Sequence, residues 1–132
     1  MIKVLLLGGT ILMILGFVQG FTLGLVPNYS LALAAHVSAI QNGLILLVLA
    51  GVWQFANLQK LSTLTVWLCV IGLYELWLGL FVAASLGLSS PMDSPITKLF
   101  QFSGSAALLV GFVFLLFGFF KGKGGNDKSI TL

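Results

Sequence analysis

Charge is what this chain has least of. Only 7% of its 132 residues are charged, arginine is absent, and cysteine and histidine occur once each. Soluble domains carry about 25% charged residues, so this chain cannot clothe a water-facing surface. Its six lysines are scattered or gathered in the tail, and they form no phosphate-binding stripe despite a net charge of +3. Nucleic acid is therefore excluded as a partner. A single cysteine cannot close an intrachain disulfide, and Cys69, mid-way along an apolar run, reads as a small buried hydrophobe. No His/Cys/carboxylate cluster exists to build a zinc site. Neither a Ser/His/Asp set, a nucleotide loop nor HExxH is present, which leaves hydrolytic and phosphoryl chemistry without support.

Hydrophobic length is what the chain has instead. Hydrophobic types make up 59% of it, and the mean hydropathy is +1.15. Four apolar stretches, at about 4–26, 31–56, 61–88 and 96–120, each exceed the roughly 20 residues of helix that cross a bilayer. The breaks between them carry turn chemistry: Pro27-Asn28-Tyr29-Ser30, Asn57-Leu58-Gln59-Lys60, and the segment from Ser89 to Pro95. Strand alternation is missing, so helices satisfy the backbone in lipid. The expected fold is all-α, one membrane domain over 1–120: a compact four-transmembrane-helix bundle with antiparallel neighbours. A polar, glycine-rich, flexible tail over 121–132 follows.

Lysine placement orients the expected bundle. Lys3, Lys60, Lys121, Lys123 and Lys128 fall on one side and Lys98 on the other. Both termini are therefore expected in the cytoplasm. The start of the chain has the charged residue and apolar core of a signal peptide, but its apolar stretch continues through Phe21 to Val26. That is longer than a signal core and reads as a first span. Gly16, Gly20 and Gly24 form a GxxxGxxxG ridge there, and Ser103, Ala107 and Gly111 a weaker one in the fourth span. Such ridges let helices pack closely in lipid.

The second span holds the informative residues. His36, Gln41 and Asn42 interrupt its apolar first half, and polar groups at membrane depth usually mark function. His36, Ile40, Gly43 and Leu47 share one helical face. Asn42 lies about 120° round from His36 and about 9 Å along. The two serve different neighbours or one long pocket, and Gly43 leaves a notch for a flat ligand or a neighbouring helix. His36 reads either as an interhelical hydrogen-bond donor or as a functional group. Among metal cofactors, haem suits a lone histidine, because one axial imidazole in an apolar slot suffices.

The third span adds Tyr74 and Glu75. Glu75, the one carboxylate deep in a span, could move a proton or pair with a polar group on another helix. Tyr74 shares a face with Trp67, Trp77 and Phe81, the lining of an apolar pocket in which Tyr74 could donate to a substrate oxygen. Gln19 and Gln101 read as packing amides.

The second span, with His36-x5-Asn42-Gly43 followed by Gly51-Val52-Trp53, resembles that of the hydroxylaminobenzene mutases and the related styrene oxide isomerases. Tyr74, Trp77, the string ending at Gly87-Leu88, and Pro91-Met92 are also similar to the mutase pattern. The family often carries asparagine just before the third-span tryptophan, where this chain has Leu76 beside Glu75. The resemblance covers most of the chain. It implies an integral, multi-pass isomerase of the bacterial inner (plasma) membrane, with no net redox change and a small hydrophobic aryl substrate drawn from the bilayer lipid. It further implies haem b, with His36 as axial ligand to the iron, Asn42 and Tyr74 as catalytic contacts, and a homo-oligomer, a trimer. Two other readings remain: a non-catalytic haem-binding or structural tetraspan, and a small proton-coupled transporter using Glu75 and His36.

Overall fold

The computed structural model describes residues 1–53 and 62–122. The expected second turn, 57–60, and all but the first two residues of the expected tail lie outside the described residues. Four helices make up the fold: α1 (Ile2–Thr22), α2 (Tyr29–Trp53), α3 (Ser62–Ser85) and α4 (Pro95–Gly122). Each is long and apolar enough to cross a membrane. The expected four-helix membrane fold is thus present, and the chain is a multi-pass membrane protein.

The ends of the helices follow from local chemistry. α1 begins at Ile2 and gives way to a 310 turn over Leu23–Leu25 before Pro27. Asn28 caps α2, its Oδ1 accepting from Leu31 N at 3.1 Å. Its Nδ2 donates to Leu88 O at 2.6 Å, tying the first turn to the end of α3. α3 stops at Ser85, three residues short of the apolar run, because Gly87 takes a left-handed φ of 67°. Leu88 N then donates to Ala83 O and Gly87 N to Ala84 O, the paired closure of a Schellman motif. Pro95 opens α4 at the position where its missing N–H costs nothing.

Packing is organised as two close hairpins, α1 with α2 and α3 with α4, joined by contact between α2 and α3. Among the described residues α4 meets α3 alone. Lipid is as apolar as leucine, so close approach rather than water expulsion holds such helices together. The glycines show where that occurs. A Cβ at Gly9 would lie 2.7 Å from Gly43 O, and one at Gly16 would lie 3.0 Å from both Ala39 Cβ and Ile40 Cγ1. Gly72 and Gly104 face each other in the same way between α3 and α4.

This corrects the expected ridges. Gly24 meets nothing within 4 Å, because α1 has already ended and Gly24 falls in the 310 turn that follows it. The contact ridge is Gly9, Gly16 and Gly20. On α4, Gly104 and Gly111 make the close approach, while Ser103 turns its hydroxyl back to Leu99 O at 2.7 Å.

Candidate functional site

His36 sits about 10 Å inside the start of α2, on the face that meets α1. Its Nδ1 lies 2.7 Å from Gly16 O. A carbonyl only accepts, so Nδ1 carries the proton and donates, and Nε2 is left with its lone pair. The ring lies against Gly20: a Cβ there would come within 2.9 Å of His36 Cε1 and 3.2 Å of Nδ1. Two members of the glycine ridge therefore do more than pack. Gly16 supplies the acceptor and Gly20 supplies the room.

Gln19 lies between them and joins three helices. It is buried, and its Nε2 donates to Ala32 O at 3.3 Å while its Oε1 accepts from Trp77 Nε1 at 3.0 Å. In α2 the Ala32 carbonyl also receives the backbone N–H of His36, four residues on. Gln19 thus braces the turn that carries the histidine. Trp77 stacks on Phe81 at 5.7 Å and meets Tyr74 edge-on at 6.5 Å, making an aromatic row on α3. Trp67, grouped with that row by helical spacing, is instead 48% exposed and lies outside it.

The other expected residues lie elsewhere. Asn42 is buried and points at α3, its Nδ2 donating to Leu73 O at 3.0 Å and to Ser38 Oγ at 3.2 Å. His36 and Asn42 therefore serve different neighbours, and the notch at Gly43 is filled by Gly9 and Met13 of α1. The Tyr74 hydroxyl donates to Gly8 O at 2.8 Å. Gly8 and Gly16 are eight residues apart on α1, so the Tyr74 and His36 anchors are separated by about 12 Å along the axis. Glu75 is partly exposed at the α4 side of α3, where Gly104 approaches its Cβ, and does not join the histidine. Gln101 donates to Leu76 O at 3.2 Å, a packing amide between α4 and α3.

Spacing alone could not reveal the His36–Gln19–Trp77 grouping, since each side chain comes from a different helix. One signal was available: Gln19 is a polar residue set inside the glycine ridge.

No three His, Cys, Asp or Glu side chains gather among the described residues. The donor set suits a cofactor held by one imidazole. Phe17, Phe21 and Leu33, on the adjoining turns of α1 and α2, are exposed and offer apolar surface to a flat group.

These features define a four-span membrane protein with one hydrogen-bonded histidine between its first two helices. The family model for styrene oxide isomerase matches residues 1–121, and the chain belongs to that family of isomerases. It is also similar to hydroxylaminobenzene mutase HabA of Ectopseudomonas oleovorans, with 27% identity over 124 residues, covering 83% of this chain and 92% of the relative. No solved structure matches the chain significantly.

Proposed function

We propose that the chain rearranges a small hydrophobic aryl substrate within the membrane, an aryl epoxide to an aldehyde or an arylhydroxylamine to an aminophenol, with haem b held on His36. The observation that carries this reading is the Nδ1 hydrogen bond to Gly16 O, which reserves Nε2 as the ligating atom. When bound, haem iron supplies a Lewis acid for the oxygen whose bond to carbon or nitrogen breaks.

The chain's own residues do the rest. Gly16 O and Gly20 fix the plane and tautomer of the imidazole, and Gln19 holds α1 in register with α2 and α3. The apolar and aromatic surroundings admit a hydrophobic substrate from lipid and keep water from trapping a carbon on which positive charge develops. Asn42 and Tyr74 are the proposed donors to the substrate oxygen. Each now donates to a helix carbonyl, Leu73 O or Gly8 O, that already accepts from the backbone N–H four residues on. Either donor can be transferred without leaving that carbonyl unpaired.

The test is an absorption spectrum of the purified protein with turnover of aryl epoxides and arylhydroxylamines, wild type beside His36→Ala. A Soret band and turnover that both vanish in the variant are expected. Full haem content and full activity in His36→Ala would overturn the reading.

A further inference from the structure

Two polar side chains at mid-membrane depth have no use in the chain described so far. Gln41 is exposed and lies twelve residues from either end of α2, or about 18 Å, too deep for an amide side chain to reach water. Its neighbours on that face are the exposed Val37, Leu44, Ile45 and Val48. Glu75 lies ten residues before the end of α3, or about 15 Å, partly exposed where α3 borders α4. Neither side chain has a hydrogen-bond partner among the described residues. Polar and ionisable groups in the hydrocarbon are costly and pair with one another. Thr10 and Ser105 are also exposed, but a hydroxyl can turn back to the carbonyl one turn earlier in its own helix. Gln41 and Glu75 make no such bond among the described residues.

The two groups also match in depth. The Asn42–Leu73 hydrogen bond sets the antiparallel register of α2 and α3. Gln41 is one residue from Asn42 and Glu75 two from Leu73, both displaced toward the same membrane face, so they differ by about 1.5 Å in depth. They stand on different sides of the protomer, one on the outer face of α2 and the other at the α3–α4 border.

From this we infer that Gln41 of one copy pairs with Glu75 of the next, side by side in the plane of the membrane. Gln41 Nε2 donates to a Glu75 carboxyl oxygen, which accepts whether or not the acid is protonated. Acyl chains offer neither donor nor acceptor. A foreign helix would need the complementary group at the same depth, and a second copy of this chain has it. Equal depth on two different faces is what rotation about the membrane normal requires, so the contact is head-to-tail. The inference is independent of the proposed chemistry at His36.

The test uses two full-length chains with different tags, Gln41→Cys in one and Glu75→Cys in the other, both carrying Cys69→Ala. They are co-expressed and oxidised in native membranes with membrane-permeant iodine. A cross-linked heterodimer is expected, with each variant alone at background. No heterodimer, or equal cross-linking of one variant with itself, would overturn the pairing. Gln41→Leu alters an exposed position and Glu75→Leu a partly exposed one, and each should weaken association between fluorescently labelled copies by about 3- to 20-fold. The double variant should be no weaker than either single one. Unchanged association in both single variants would also refute the inference.

Discussion

Replacing Gly20 by alanine would separate the seat of the imidazole from the general packing of α1. The new Cβ would stand 2.9 Å from His36 Cε1 and 3.2 Å from Nδ1, too close for the ring to stay. The ring must tilt off α1, which lengthens the 2.7 Å bond to Gly16 O. Losing that bond removes about 0.5–1.5 kcal/mol. In a helix interior, however, alanine is favoured over glycine by about 0.8–1.0 kcal/mol. The two terms nearly cancel, so thermal stability is expected to move little and is the wrong observable.

Tautomer populations are not subject to that cancellation. The same 0.5–1.5 kcal/mol biases the Nδ1–H form by about 2- to 13-fold, and the variant should lose that bias. His36 is the only histidine, so selective ¹⁵N labelling gives one pair of ring signals to read. Wild type should show a protonated Nδ1 beside an unprotonated Nε2, and Gly20→Ala should show both nitrogens shifted toward intermediate values. Identical ring signals in the two proteins would refute the argument that Gly16 and Gly20 set the state of His36.

Other perturbations test the remaining contacts. Gly9→Ala places a Cβ 2.7 Å from Gly43 O, a backbone atom that cannot yield, whereas Gly24→Ala meets nothing. Detergent melting should show a loss of about 1–3 kcal/mol for the first and almost none for the second. Gln19→Leu leaves the buried Trp77 N–H without its acceptor, at a cost of about 1–3 kcal/mol. Adding Trp77→Phe should destabilise the Gln19→Leu protein less than it destabilises wild type. Tyr74→Phe should change stability by about 1 kcal/mol or less, since Gly8 O keeps its helical partner. If Tyr74 donates to the substrate oxygen, the same variant should lose on the order of 10²-fold in kcat; unchanged kcat would remove it from that role.

The number and extent of the helices were legible because hydrocarbon imposes so strong a condition on sequence. Twenty apolar residues between turn signals leave few alternatives, and Pro27, Asn28 and Pro95 mark real boundaries. Residues 86–88 stayed ambiguous, since their hydropathy says helix and only the left-handed Gly87 ends it. Which glycine meets which helix was harder to read. A GxxxG spacing reports that an approach is possible, but the partner and the rotation decide whether it happens, and Gly9 displaced Gly24 for that reason. His36 stood out as a lone polar residue, while its acceptor could not, because a backbone carbonyl has no sequence signature. The separation of Asn42 from His36 followed from helical angles alone. The partnership of Gln19 with Trp77 spans 58 residues and required the fold itself.

That α4 meets α3 alone among the described residues bears on how the protein is made. Every hydrogen bond around His36, Gln19 and Trp77 lies among the first 81 residues. A chain emerging from the ribosome thus releases the whole surroundings of the histidine before α4 itself emerges. The last helix joins a centre already in place, and a protein halted after its third span would still present the imidazole seated on α1.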